Sequence, residues 1–120
     1  MADPVYSDHI LVAANQPWAD FAFFAMDTDA ATGQVVGPLD LTGKTITATL
    51  ICNGVTLSLS TANGGMKVVN APGGQFGPAL NVTQLAQLTI GTTAQLQFAI
   101  WNADNTAVLD ATEFYTVRAA

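Results

Sequence analysis

Residues 45–60 read Thr45-Ile46-Thr47-Ala48-Thr49-Leu50-Ile51-Cys52-Asn53-Gly54-Val55-Thr56-Leu57-Ser58-Leu59-Ser60, and this stretch decides the fold. Ile46, Ala48, Leu50 and Cys52 alternate with Thr45, Thr47 and Thr49, so a strand here sets one face against a core and the other towards water. Asn53-Gly54 is the strongest two-residue hairpin signal in the chain, because a type I′ turn holds both central residues at positive φ, which Asn and Gly tolerate. Val55, Leu57 and Leu59 then alternate with Thr56, Ser58 and Ser60 on a returning strand.

The pattern repeats towards the C-terminus. Ala62–Gly65 is a turn, Met66–Val69 a short strand, and Asn70-Ala71-Pro72-Gly73-Gly74 a loop. Gln75–Asn81 reads as a strand weakened by Gly77 and Pro78; Pro78 lacks a ladder donor, which predicts an edge or a bulge. Val82–Leu88 is the one helical candidate, with Thr83 as its cap and Gly91 beyond its end, and it is long enough only for a crossover. Thr93–Asn102 is the best strand, with Ala94, Leu96, Phe98 and Ile100 on one face and Gln95, Gln97, Ala99 and Trp101 on the other. Asn102–Asn105 is a hairpin loop, and Thr106–Leu109 and Ala111–Arg118 give the last one or two strands.

Towards the N-terminus, Asp40-Leu41-Thr42-Gly43 is a compact turn, and Asp27–Gln34 is a polar turn region leading into Val35–Leu39. Trp18–Met26 is apolar on both faces apart from Asp20, which predicts a strand covered twice, by a second sheet or by a neighbouring subunit. Asn15-Gln16-Pro17 breaks the chain, His9–Ala14 is a short apolar run suited to an edge strand, and residues 1–8 read as an extended arm. The expected organisation is an arm over 1–16 and one domain over 17–120. Lys, Glu and Arg, the usual surface of helices, are scarce, and Thr, Val and Ile favour pleated sheet. The fold class is therefore all-β: an antiparallel, Ig-like sandwich of about seven to eight strands, with one short crossover helix near 83–88.

Composition narrows function by exclusion. Three Lys and Arg stand against nine Asp and Glu, a net charge of −6. Lys44, Lys67 and Arg118 are too few to line a nucleic-acid groove or to hold an anionic membrane surface. The longest apolar run, Phe21–Met26, is far short of a membrane span, and the N-terminus has neither the cationic nor the apolar region of a secretory signal. Cys52 is the one cysteine and His9 the one histidine, so neither an internal disulfide nor a Cys/His metal site is available, and manufacture in a reducing cytoplasm fits. No cofactor is expected.

Candidate chemistry is thin. Asp27 and Asp29 with Thr28 and Thr32 offer oxygens for a cation but lack the further carboxylates of a calcium loop, so they read as a polar turn. Asp104, Asp110 and Glu113 are the close carboxylates near the best strands; spacing alone does not make them a hydrolytic pair, and they read as solvated charges. Asn81-Val82-Thr83 matches a glycosylation acceptor, but Thr83 as helix cap is the plainer reading. No catalytic residue is expected. Trp18, Phe21, Phe23 and Phe24 form an aromatic cluster that serves a core or, in part, a subunit contact. Trp101, on a polar face with Gln95 and Gln97, suits packing within the chain, a subunit interface or stacking against a sugar. Trp18, Phe21, Phe23 and Trp101 are thus the candidate interface residues.

Three stretches resemble the small domains of tailed-bacteriophage and prophage virion proteins, in particular the N-terminal β-sandwich of baseplate upper proteins. They are the turn Asp40-Leu41-Thr42-Gly43 with the strand Ile46–Leu50, the run Gly77–Leu88 closing at Gly91, and the two late strands Gln97–Trp101 and Phe114–Val117. The resemblance spans Pro17 to Val117. It departs at Thr112-Glu113, where the group commonly has a glycine, and in the longer Asp27–Leu39 loop. It implies an Ig-like sandwich in a virion, made in the host cytoplasm, without enzymatic activity, whose partners are copies of itself and other virion proteins. The expected role is structural, in tail, baseplate or connector; the alternatives are a carbohydrate- or receptor-binding module of a fibre and a capsid decoration protein.

Overall fold

The hairpin over residues 45–60 forms as its alternation requires. In this computed structural model, which describes residues 9–13 and 15–120, Thr45–Cys52 and Val55–Ser60 pair antiparallel, with Thr49 opposite Ser58. Asn53 and Gly54 turn the chain at φ 47° and 83°, the positive pair of a type I′ turn. Ile46, Leu50, Cys52 and Leu59 are each at most 2% exposed, while Thr45, Thr47, Thr56 and Ser58 lie in solvent.

The strands, in chain order, are β1 (His9–Val12), β2 (Trp18–Ala19), β3 (Phe23–Phe24), β4 (Met26–Thr28), β5 (Val35–Pro38), β6 (Thr45–Cys52), β7 (Val55–Ser60), β8 (Met66–Asn70), β9 (Gln75–Leu80), β10 (Thr93–Trp101) and β11 (Ala107–Ala119), with helix α1 (Val82–Leu85) between β9 and β10. A five-stranded sheet runs β1-β11-β10-β6-β7. A smaller sheet is built on β9, which pairs with β2 and β3 on one side and β8 on the other; β4 and β5 form a separate ribbon. The two sheets enclose one core, with Ile10, Leu41, Met66, Phe76, Leu96 and Tyr115 among its least exposed members. The chain is an all-β, sandwich-like fold.

The N-terminal boundary differs from the expectation. His9–Val12 is not part of an arm: it runs parallel to Thr116–Ala119, and Ile10 is fully buried. An aliphatic residue that completes a core cannot also leave the domain; residues 1–8 of the expected arm lie outside the described residues. The β1–β11 pair is also the parallel exception to an otherwise antiparallel ladder.

The Trp18–Met26 run is not one strand. It is cut into β2, β3 and the start of β4, because the Asp20 carboxylate accepts the Ala22 N–H at 3.1 Å and folds the backbone into a local turn. Pro78 stands at the irregularity the sequence predicts: Ala19 lies opposite Ala79 but Phe23 opposite Phe76, so residues 20–22 bulge past Gly77 and Pro78. Its carbonyl accepts the Asp20 N–H at 3.0 Å, so its nitrogen faces the gap between β2 and β3, where no ladder donor is required. The cap of α1 is Asn81, not Thr83: the Asn81 side chain accepts the Gln84 N–H at 2.8 Å, and the Gln84 side chain accepts the Asn81 N–H at 2.9 Å. At the C-terminus the segments expected to give one or two strands form the single β11, 13 residues long.

Gly77 is where β9 and the Asp20 turn meet. A Cβ built there would overlap the Asp20 carbonyl, although the backbone of Gly77 is itself one that any residue adopts. The cost of a side chain is therefore steric rather than conformational. We predict that Gly77→Ala lowers unfolding stability by about 2–4 kcal/mol, whereas Gly33→Ala, at φ 72° in open space, costs only about 1 kcal/mol. Urea denaturation of the two variants measures the difference.

Candidate functional site

Alternation in the five-stranded sheet produces a polar outer face. Across it, the pairing register aligns Ser60, Thr47, Ala99 and Asp110 in one transverse row and Ser58, Thr49, Gln97 and Thr112 in the next. These residues line a shallow groove of about 670 Å³, with Asn63 at its rim. Asn63 is committed to the fold: its Oδ1 accepts the Ser60 and Gly65 N–H groups, and its Nδ2 donates to the Ser58 carbonyl. Trp101, the next outward residue on β10 after Ala99, donates its indole N–H to Thr47 Oγ1 at 2.9 Å, which draws the ring down over β6 towards the groove.

A second feature lies at one end of the sandwich. Phe23, Phe76 and Phe98 form a triangle of rings with centroids 5.4–5.5 Å apart. Beside it is a cleft of about 340 Å³ whose walls also include Asp20, Phe24, Leu109 and Glu113. Phe24 is 58% exposed and Leu109 37%. Over Ala107–Thr112, β11 has β10 on one side and no paired strand on the other among the described residues, because β1 reaches only Thr116–Ala119.

The four residues expected at an interface are not brought together. Trp18 packs edge-on against Tyr115 at 5.5 Å, and Phe23 belongs to the aromatic triangle, so both serve the core side of the sheets. Phe21 is half-buried, and its carbonyl accepts from Gln75 Nε2 at 2.8 Å. Trp101 stands alone of the four on the outer face. The exposed apolar residues include Phe24, Met26, Val35, Val36 and Leu109 instead. A continuous strand over 18–26 hides this, and the one signal against such a strand was Asp20 within the apolar run.

The acidic candidates separate. Asp110 points to the outer face and Glu113, three residues on, to the inner one, so they do not form a carboxylate pair. His9 pairs with Thr116, six residues along β11 from Asp110, a gap of roughly 20 Å. Asp29 accepts the Ala31 N–H within its turn. Among the described residues no three His, Cys, Asp or Glu side chains converge. Cys52 is buried, its sulfur 3.2 Å from Thr92 Oγ1.

No protein-family model, curated protein or solved structure matches the chain.

Two turns beside these surfaces share one device. Asp40 accepts both the hydroxyl and the N–H of Thr42, at 2.7 and 2.9 Å, and Asp104 does the same with Thr106, at 2.6 and 3.1 Å. The Lys44 ammonium donates to Asn102 Oδ1 at 3.1 Å and joins the two turns. The threonine hydroxyl first, then its N–H, holds each carboxyl below its ordinary value. A depressed folded pKa stabilises above the unfolded value and is lost as pH falls through the folded one. Both staples should therefore persist through neutral and mildly acidic pH and open only below the usual aspartate range. Carboxyl NMR titration is expected to show Asp40 and Asp104 with low midpoints, rising part of the way towards the ordinary value in Thr42→Val and Thr106→Val, where the backbone N–H bond remains.

Proposed function

We propose that this chain is a structural component of a bacteriophage virion, from the tail, baseplate or connector region, and that it works by protein–protein assembly. The observation that carries this reading is the open end of the sandwich. There the edge of β11 over Ala107–Thr112, which has no paired strand among the described residues, lies beside the aromatic-walled cleft and the exposed Phe24 and Leu109. A partner's extended segment can add to that edge through main-chain hydrogen bonds and set a large apolar side chain into the cleft, the chemistry of strand addition. Met26, Val35 and Val36, each at least 46% exposed on the β4–β5 ribbon, add apolar surface of the kind that assemblies cover. The virion setting comes from the resemblance carried by Asp40–Gly43, Gly77–Leu88 and the two late strands. A capsid decoration protein would draw on the same surface.

The charge distribution favours a head-to-tail contact. Pairing the β11 edge with itself about a two-fold axis would bring Asp110 and Glu113 towards their own copies, and like charges directly opposite are destabilising. An edge that takes a different segment of the next molecule avoids this. Copies of net charge −6 also repel at a distance, and added salt screens that repulsion.

Size-exclusion chromatography with light scattering tests the mechanism. The chain is expected to form concentration-dependent oligomers that strengthen with added salt. Leu109→Asp and Phe24→Asp, both at exposed positions, should return it to folded monomers. A chain that stays monomeric at every concentration and salt removes self-assembly as its mechanism.

A further inference from the structure

The groove on the outer face is chemically unlike the apolar end of the molecule. We propose that it is a binding site for a neutral saccharide laid across strands β7, β6, β10 and β11, with the Trp101 ring as its stacking platform.

The lining carries the argument. Thr47, Thr49, Ser58, Ser60 and Thr112 supply hydroxyls, Gln97 an amide and Asp110 a carboxylate, while the floor is the small side chain of Ala99. Thr49, Gln97, Asp110 and Thr112 make no side-chain hydrogen bond among the described residues, so their donors and acceptors are open to a ligand. No cation lines the groove: Lys44 is engaged by Asn102, and Lys67 and Arg118 lie outside it. A phosphate or an acidic sugar would meet Asp110 with nothing to offset its charge, so the charge pattern selects a neutral ligand. An apolar partner face is disfavoured for another reason. Covering two rows of hydroxyls and amides without replacing their hydrogen bonds to water is costly. A ligand that offers hydroxyls of its own replaces those bonds one for one.

Shape agrees with chemistry. Four strands about 4.8 Å apart span roughly 14 Å, room for about three pyranose rings end to end. Alongside the row of Thr47 and Ala99, bordering the groove, the indole of Trp101 is fixed by Thr47 and partly buried. A ring held in one orientation presents an apolar face to sugar C–H groups at little cost in side-chain freedom. Aromatic platform, planar amide and carboxylate are thus arranged on one rigid sheet, each placed by strand register rather than by a loop.

The test is an amide-resolved NMR titration of the intact chain with neutral hexasaccharides of glucose (β- and α-linked), mannose, xylose and N-acetylglucosamine, and with an oligogalacturonate as the acidic comparison. Saturable shifts confined to the two rows and the Trp101 indole N–H, with at least one neutral sugar and not with the acidic one, are expected. Trp101→Ala and Gln97→Ala should each weaken that sugar by about tenfold or more. Thr56→Val, on the same face beyond the groove, should not, and unchanged amide spectra away from the face show that the variants fold. Absence of shifts with every neutral sugar, shifts located elsewhere, or perturbation of the face by protein concentration alone would each overturn the proposal. None of these outcomes bears on whether the apolar end assembles.

Discussion

The Tyr115 hydroxyl donates to the Asp20 carboxylate at 2.9 Å, and much of the molecule is arranged around that bond. Tyr115 is 1% exposed on the inner face of β11, so its hydroxyl needs a partner inside the sandwich. Asp20 supplies one from the opposite layer. The same side chain folds its own backbone through the Ala22 N–H, and the turn it makes brings the Asp20 carbonyl against Gly77 and its N–H onto the Pro78 carbonyl. One carboxylate thus joins the sheets, breaks the first long apolar run, and sets which residues of β9 are permissible beside it.

The break at Asp20 has a further effect on what the surface offers. In a continuous strand the two faces of 18–26 would each be buried somewhere. With the strand cut, the phase resets: Phe23 turns to Phe76 and Phe98, while Phe24 is left outside. The apolar end of the molecule is therefore a consequence of interior hydrogen bonding. The large sheet is interrupted only between Ile100 and Trp101, and over the rows of Thr47 and Thr49 its outer face is mostly polar, while Ile51 and Phe114 flank Gln95 in the next row. The two surfaces differ in chemistry because alternation holds across the middle of the large sheet and is reset at Asp20 in the small one.

That contrast also explains what the sequence disclosed. Thr45–Ser60 and Thr93–Trp101 are legible because period-two alternation and an Asn-Gly turn are local signals that tertiary contacts do not override. The inward residues of β6, β7 and β10 fall where their alternation sets them. Trp18–Met26 was illegible because a run apolar on both faces fits any phase, and the decisive contact, Tyr115 to Asp20, joins residues 95 apart. The parallel pairing of β1 is of the same kind: nothing in His9–Val12 announces that Thr116–Ala119 will lie beside it. The α1 cap is a local signal that the Thr83 reading passes over, since Asn81 and Gln84 stand at capping-box spacing. Trp18, Phe21, Phe23 and Trp101 are all aromatic, and the interior claims aromatic rings before the surface does.

Cys52 sits at the end of β6, 1% exposed and capped by the Thr92 hydroxyl. A thiol sealed in that way is withheld from disulfide exchange, because attack requires access as well as a thiolate. Copies of the folded chain can therefore pass from a reducing to an oxidising medium without becoming covalently cross-linked through it. Contacts between them would remain reversible, set by surface chemistry alone.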